Sequence, residues 1–202
     1  MIAVVGTFAA LAVSSKSPDP AAIATTQAHA DELTEQLART VRYRLPDERL
    51  SSVSPRTRPL AFFSLGETSE DGYQAAAVLN DAEGASTLTV FVRSTDKHTE
   101  CVLVLDCQVP LKSAGQPEIE ETSIIGTTGS TINLTTTSID GKVKMLSARS
   151  TFPDGTTVSA VLRAQITTGD LGNGIEIKPS RSEVPVTADQ FVAMVDRPGF
   201  HY

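Results

Sequence analysis

The chain has 202 residues, with 17 Lys and Arg against 24 Asp and Glu, and its formal net charge is −7 at pH 7. A negative balance argues against nucleic acid as a partner, because binding to phosphates needs a basic surface. A chain that is 40% hydrophobic and 20% charged is neither a polytopic membrane protein nor an acidic disordered one. The length allows one large or two small domains, and one globular body is the simpler interpretation.

The chain begins with an apolar segment. Ile2 to Val13 are twelve apolar or small residues, followed by a polar, Pro-containing stretch. A spanning helix needs about 20 apolar residues and a signal peptide about 7 to 15, so the length favours a signal peptide. No Lys or Arg precedes the segment, which leaves two alternatives: the end of a truncated membrane anchor, or a buried element of a cytoplasmic domain. We therefore expect residues 1–13 to be a signal or anchor segment, 14–29 a linker or helical stalk, and 30–202 a single domain.

A long helix is predicted next. Asp19 is a good N-cap, Pro20 suits the first helical position, and Pro46 ends the helix after Leu45. Apolar residues recur at spacings of three or four and predict a buried stripe. The stripe consists of Ala30, Leu33, Leu37, Val41 and Leu45.

From residue 50 to 180 the hydrophobic period becomes two, which indicates strands. The turns that separate them contain Asp71-Gly72, Glu83-Gly84, Asp140-Gly141 and Asp154-Gly155. The predicted strands are Leu60–Leu65, Tyr73–Asn80, Thr87–Arg93, Val102–Val109, Ile132–Ser138, Lys142–Arg149 and Thr156–Ile166. In the last strand apolar residues alternate with Thr, Ser, Arg and Gln, which predicts an antiparallel sheet with one solvent-exposed face.

A short helix is predicted near the end of the chain. Thr187 and Gln190 form a capping box, and Val186 with Phe191 forms the accompanying hydrophobic staple. Phe191, Met194 and Val195 would give this helix a buried face. The fold class we expect is α+β: an antiparallel sheet of six to seven strands packed against the long N-terminal helix and the short C-terminal helix.

The two cysteines, Cys101 and Cys107, leave two alternatives open. They are separated by five residues that resemble a strand, and six extended steps of about 3.3 Å would hold the sulfurs too far apart for a bridge. Either these residues fold into a tight loop closed by a disulfide, or they form a strand with two thiols, as local propensity favours. A zinc site lacks a fourth ligand and the usual spacing. We predict no metal and no cofactor.

One basic segment departs from the overall charge. Residues 39–58 carry six arginines against two acidic residues. These arginines could bind an anionic lipid surface or an acidic polymer, or they could belong to an ordinary solvated helix end. The six are Arg39, Arg42, Arg44, Arg49, Arg56 and Arg58.

Candidate catalytic groups do not form a recognisable motif. The three histidines, His29, His98 and His201, are far apart in the sequence, and no nucleophile motif accompanies them. An acidic cluster, Glu118, Glu120 and Glu121, follows Pro117 and is typical of a solvated loop rather than of an acid and base pair. The loop Asn80 to Gly84 offers oxygen atoms that could bind calcium but lacks the EF-hand spacing, and a hairpin turn explains it equally well. We predict no catalytic residues.

Four segments together resemble the extracytoplasmic domains of uncharacterised actinobacterial membrane-anchored proteins. They are residues 72–85, the pair Cys101 and Cys107, residues 153–158 and residues 185–191, and the resemblance spans about residues 30–200. It implies a basic segment and a transmembrane helix before the domain, and a disulfide between the two cysteines. The function we expect is a non-enzymatic extracytoplasmic sensor or interaction domain, membrane-anchored or secreted, whose partner is a cell-envelope component or a membrane protein. The alternatives are a small envelope-associated enzyme and an anionic-surface binder.

Overall fold

The computed structural model describes residues 20–45, 49–51, 58–64, 72–94, 116–166, 179–197 and 199–200. These residues form two helices and eight strands, an α+β fold dominated by an antiparallel sheet. The elements are α1 (Pro20–Arg44), β1 (Arg49–Ser51), β2 (Phe63–Ser64), β3 (Tyr73–Asn80), β4 (Ala85–Ser94), β5 (Glu118–Ile125), β6 (Thr131–Ile139), β7 (Lys142–Thr151), β8 (Thr156–Arg163) and α2 (Ala188–Val195).

All eight strands belong to one sheet, in the order β1-β3-β4-β8-β7-β6-β5, and β2 also pairs with β3. Every strand pair is antiparallel. Strands β5 to β8 form a meander that runs inward from one edge, and its last strand pairs with β4 in the middle of the sheet. The sheet therefore has two very different edges: the three-residue β1 at one side and the eight-residue β5 at the other.

One hydrophobic core joins the helices to the sheet. The predicted stripe of α1 is buried, with Leu33 and Leu37 no more than 1% exposed. The predicted face of α2 is buried as well, and both faces belong to the same cluster as Leu88 of β4 and Leu162 of β8. Burying each of these leucine side chains contributes about 2 kcal/mol to the free energy of folding.

The start of α2 confirms the predicted capping box. The hydroxyl of Thr187 accepts the backbone N–H of Gln190 at 3.3 Å, and the side chain of Gln190 accepts the N–H of Thr187 at 2.9 Å. Two N–H groups that the first helical turn leaves unpaired are thereby satisfied. Val186 and Phe191, the predicted staple residues, are both buried.

Most of the predicted strands in the described ranges are confirmed. Strand β3 has the predicted bounds, and β4, β6, β7 and β8 differ from the predictions by one to three residues at their ends. The predicted turns at Glu83-Gly84, Asp140-Gly141 and Asp154-Gly155 connect neighbouring strands. Two strands, β1 and β5, were not predicted, and Val102–Val109 lies outside the described residues.

The expectation of one solvent-exposed sheet face is wrong for the centre of the sheet. In β8, Val158, Ala160 and Leu162 are buried on the core face, but Thr157, Val161 and Arg163 on the opposite face are also no more than 9% exposed. Thr side chains suit either environment because a buried hydroxyl can bond to a nearby carbonyl, as Thr87 does to Gln165 at 3.0 Å. The alternation of apolar and polar residues along β8 therefore indicates two buried faces, one apolar and the other more polar.

Candidate interaction surfaces

The acidic cluster lies on strand β5, not in the predicted solvated loop. Glu118, Glu120 and Glu121 all belong to this strand, which pairs with β6 along its whole length from Glu118↔Ser138 to Ile125↔Thr131. Adjacent strand residues point to opposite faces, so Glu120 and Glu121 cannot act together on one substrate as an acid and base pair. The three side chains are exposed, as predicted for a solvated segment.

Strand β5 forms a long exposed edge. Among the described strands, none pairs with its outer side. Seven of its eight residues are exposed, and Ile119 and Ile125 are 64% and 74% exposed. These two isoleucines lie on the same face of the strand, because residues separated by an even number share a face. An exposed edge with apolar side chains is an available template for pairing with another strand.

The hydrogen bonding of the β5–β6 turn determines which backbone groups of β5 point outward. Gly126 donates its N–H to the carbonyl of Ser130 at 2.9 Å, so these two residues form a hydrogen-bonded pair. In an antiparallel ladder, hydrogen-bonded and non-bonded pairs alternate, and residues of the non-bonded pairs direct their N–H and C=O away from the partner strand. The backbone groups of Ile119, Glu121, Ser123 and Ile125 therefore point toward the open edge.

The turn at the end of β5 is fastened to α2 by Asp196, the C-cap residue of that helix. The carboxylate accepts four hydrogen bonds: from the N–H of Thr127 at 2.6 Å, the hydroxyls of Thr127 and Thr128 at 2.7 Å each, and the hydroxyl of Ser130 at 2.9 Å. Gly126 leaves the necessary space, because a Cβ at this position would lie 2.3 Å from the Asp196 Oδ1 atom. The Gly-rich segment 126–130 is thus a turn that surrounds a carboxylate of its own chain.

The Asp196 carboxylate is held in its charged form. Partial burial acts to raise its pKa, but the hydrogen bonds from Thr128, Thr127 and Ser130 outweigh burial and lower the pKa from 3.8 to about 2. The carboxylate is ionised at neutral pH, and it ties the C-terminal end of α2 to the edge hairpin.

A second polar cluster holds the turn between β3 and β4, which lies within the segment Asn80 to Gly84 whose oxygen atoms could bind calcium. The guanidinium of Arg181, only 7% exposed, forms ion pairs with Asp81 and with Glu83, the latter at 2.8 Å. Burial acts to raise the pKa of Asp81, and the hydrogen bond and charge of Arg181, with the N–H groups of Glu83 and Gly84, lower it below its usual value. Arg181 therefore occupies the carboxylates that calcium would need, and the segment is a hairpin turn.

The structure places part of the Arg-rich segment at the C-terminal end of α1. Arg39 and Arg42 are exposed there, with Arg39 bonded to Glu35 at 2.8 Å. Arg44 is half-buried and lies 5.2 Å from the ring centre of Tyr43, which is 73% exposed. Arg58 is exposed, Arg49 belongs to β1, and Arg56 lies outside the described residues.

A residue that the sequence did not assign to this basic cluster is brought to it by the fold. Arg197, next to the end of α2, lies 6.0 Å from the centre of the Tyr43 ring. The exposed ring thus has a guanidinium from each of two helical ends beside it. Because 153 residues separate Tyr43 from Arg197 in the sequence, no local sequence pattern predicts that they lie close together.

His29 lies on α1 and packs edge-on against the buried ring of Tyr73, with the ring centres 5.1 Å apart. Its Nδ1 atom is 3.8 Å from a carboxylate oxygen of Glu32, one helical turn further on. This arrangement is typical of a histidine that contributes to packing at a core boundary.

Several predicted groups lie outside the described residues: Cys101, Cys107, His98 and His201. Within the described ranges, no group of three His, Cys, Asp or Glu side chains could hold a metal ion. Neither described helix has the length and apolar character required to cross a membrane.

Strand β5 is the part of this surface that the sequence analysis missed. A usable signal was present, because residues 126–130 have the Gly-rich composition of a turn and lie directly before a predicted strand, and a hairpin needs a second strand before the turn. Glutamate is depleted in strands, and three glutamates in four residues concealed it. Comparison of the chain with protein families, with characterised proteins and with solved structures finds no match.

Proposed function

We propose that the protein is a non-enzymatic interaction domain of the cell envelope, exported or membrane-anchored through its N-terminal segment, that binds another protein along the exposed edge of β5. The observation that carries this proposal is the length and exposure of that edge. Natural sheets usually shorten, cover, bulge or charge their edge strands, because an open edge promotes unwanted pairing. The three glutamates of β5 oppose pairing with a strand of like charge but leave its backbone groups accessible. Strand β1 is short, whereas β5 offers eight residues in regular register without a bulge.

The interaction can be tested in the native host with a photo-crosslinking amino acid placed at Ser123, whose side chain is exposed in the middle of β5. The control carries the same amino acid at Gln27, which is exposed on α1. We expect a protein adduct at Ser123 that is missing at Gln27. An exported, folded chain that gives no protein adduct at Ser123 would disprove the proposed function.

Export and the disulfide are tested by the intact mass of the mature chain from its host, before and after reduction. We expect either a chain without the apolar start or an anchored chain in the membrane fraction, and in both cases a gain of about two hydrogens on reduction. A cytoplasmic chain that begins at Met1 and has two free thiols would contradict the envelope assignment.

A second candidate function is binding to an anionic polymer or lipid surface, favoured by the position of Tyr43 beside Arg44 and Arg197. Aromatic rings and guanidinium groups are frequent together at membrane interfaces and in sites for anionic groups. The cluster lies at the end of α1 opposite Pro20, and 24 helical steps of about 1.5 Å separate the two ends by roughly 36 Å. A bilayer that anchored the N-terminal segment would reach this cluster only if α1 lay flat on its surface.

Sedimentation with vesicles tests this second candidate. Vesicles with anionic lipid should retain the chain at low salt and release it at high salt. Replacing both Arg44 and Arg197 by Gln should weaken retention about thirtyfold, because each charge contributes about 1 kcal/mol. The matched control replaces the exposed Lys142 by Gln. Equal retention by zwitterionic vesicles would rule out an electrostatic surface.

A further inference from the structure

We propose that the partner of β5 is an extended protein segment with alternating basic and apolar residues, which adds to the sheet as an additional strand beside β5. This inference rests on the proposed function and specifies the chemistry of the partner. Adding a strand to an open sheet edge is a common mode of peptide recognition, in which backbone bonds provide affinity and alternate side chains provide specificity.

The backbone of β5 is arranged for such pairing. The outward-pointing groups belong to Ile119, Glu121, Ser123 and Ile125, so an added strand would make its hydrogen bonds to these four residues. The β5–β6 pairing shows no register shift between Glu118 and Ile125, so the spacing of these groups is regular. Asp196 holds the turn at the end of the strand through its bonds to Thr127, Thr128 and Ser130.

The side chains of β5 differ between its two faces, and this difference specifies the pattern of the partner. Ile119 and Ile125 lie on the face opposite the helices, and residues directly across from them on an added strand would share that face. Glu118 and Glu120 lie on the helix-covered face, where basic residues of the partner would be opposite to them. Glu121 lies on the same face as the two isoleucines, so a segment that alternates apolar and basic residues places apolar side chains beside Ile119 and Ile125 and basic side chains beside two of the three glutamates.

The charge of β5 distinguishes a basic segment from a second copy of this chain. The strand carries three carboxylates and no Lys or Arg, and none of the three forms an ion pair with a residue in the described ranges. Two antiparallel β5 strands would bring six carboxylates and no cation of β5 to one narrow interface, and this concentration of like charge opposes association of two copies. A basic segment replaces this repulsion with attraction.

The experiment measures the binding of labelled eight-residue peptides to the full chain by fluorescence anisotropy. The probe alternates Lys and Val, and the charge control alternates Glu and Val. Two further probes carry N-methyl groups on the valines, whose N–H groups would face β5, or on the lysines, whose N–H groups would face away. We expect the Glu–Val peptide and the valine-methylated peptide to bind at least about tenfold more weakly, and the lysine-methylated peptide to keep its affinity.

Variants of the chain locate the binding to β5. Ser123→Pro removes an outward-pointing N–H and leaves the bonds to β6, so it should abolish binding, whereas Ser123→Ala keeps the N–H and should preserve binding. The double variant Glu118→Lys with Glu120→Lys should reverse the preference toward the Glu–Val peptide. This double variant retains the backbone N–H groups of β5, so it tests whether the peptide binds at β5 even if Ser123→Pro does not fold.

The possible results separate this inference from the proposed function. Equal binding of the Lys–Val and Glu–Val peptides, or binding unaffected by valine methylation, would overturn the inferred chemistry. A protein adduct at Ser123 in the host together with no peptide preference would overturn the chemistry and leave the interaction function standing. Self-association in sedimentation that Ser123→Pro removes would identify a second copy as the partner and would also overturn the inference.

Discussion

The carboxylate of Asp196 accepts both the backbone N–H and the hydroxyl of Thr127, at 2.6 and 2.7 Å, although the two residues are 69 positions apart. Asp196 ends α2, and Thr127 lies in the turn that ends β5. The contact therefore connects the core helix to the turn of the edge hairpin. We regard Asp196 as the residue that keeps the proposed docking strand in position.

Replacing Asp196 by Asn should destabilise the fold. The amide keeps the shape of the carboxylate but loses its charge, and its NH2 group would face hydroxyl or N–H donors. We expect the free energy of unfolding to fall by about 2 kcal/mol, measured by urea titration. Glu183→Gln, a change at an exposed side chain, is the control and should stay within about 0.5 kcal/mol of the original chain. A loss no larger than that of the control would show that the hydrogen bonds accepted by Asp196 do not stabilise the fold.

The contribution of Asp196 should also depend on pH. Its pKa is about 2 in the folded chain and 3.8 ordinarily, so the folded state binds the proton less readily than the unfolded state. The stabilisation is therefore fully present above pH 3.8 and is lost as the pH falls through about 2. Allowing for solvent screening, we expect about 1–2 kcal/mol of the difference between the original chain and Asp196→Asn to disappear over this range. A difference that stays constant down to pH 2 would contradict the assignment.

The two carboxylates that bind Arg181 should contribute unequally. Asp81 is 21% exposed and Glu83 is 71% exposed, although both pair with the same buried guanidinium. Asp81→Asn should cost about 2–3 kcal/mol in unfolding free energy, because it leaves a buried charge without its closest partner. Glu83→Gln should cost less than about 1 kcal/mol, since solvent already screens that pair. Equal losses would indicate that burial does not govern this cluster.

Two turn glycines provide a test of backbone geometry. Gly84 has a φ of 141°, and a Cβ there would lie 2.6 Å from the carbonyl oxygen of Pro179. Gly141 has a φ of 72°, and a Cβ there would meet nothing within 4 Å. Thermal unfolding should show Gly141→Ala losing about 1–2 kcal/mol from conformation alone and Gly84→Ala losing at least about 1 kcal/mol more. Similar losses for the two variants would mean that the segment at Pro179 moves aside at little cost.

Local patterns predicted the parts of the fold that local chemistry determines. The α1 stripe, the capping box at Thr187 and the Gly-containing turns each depend on residues within a few positions of one another, and the structure confirms them. Strand β3 was predicted correctly because its apolar run is bounded by Gly72 and by the turn at Asp81. These features require no knowledge of tertiary contacts.

The candidate surfaces depend on contacts that no local pattern contains. Strand β5 is held by pairing with the Thr-rich β6 rather than by its own burial. Its sequence therefore has no buried apolar pattern, and its glutamates indicated a solvated loop. Asp196, Arg181 and Arg197 meet their partners across 66 to 154 positions of sequence. Thr residues on β8 were assigned to solvent because Thr is equally suited to a wet strand and to a buried, hydrogen-bonded one.

The most direct test of the central claim is amide hydrogen exchange of the free chain, resolved for each residue of β5. We expect the N–H groups of Ile119, Glu121, Ser123 and Ile125 to exchange rapidly and those of Glu120, Thr122 and Ile124 to be protected by their bonds to β6. Addition of the Lys–Val peptide should then protect the first set. Uniform protection of both sets in the free, monomeric chain would mean that the outer edge is already occupied, and β5 would not be a docking strand.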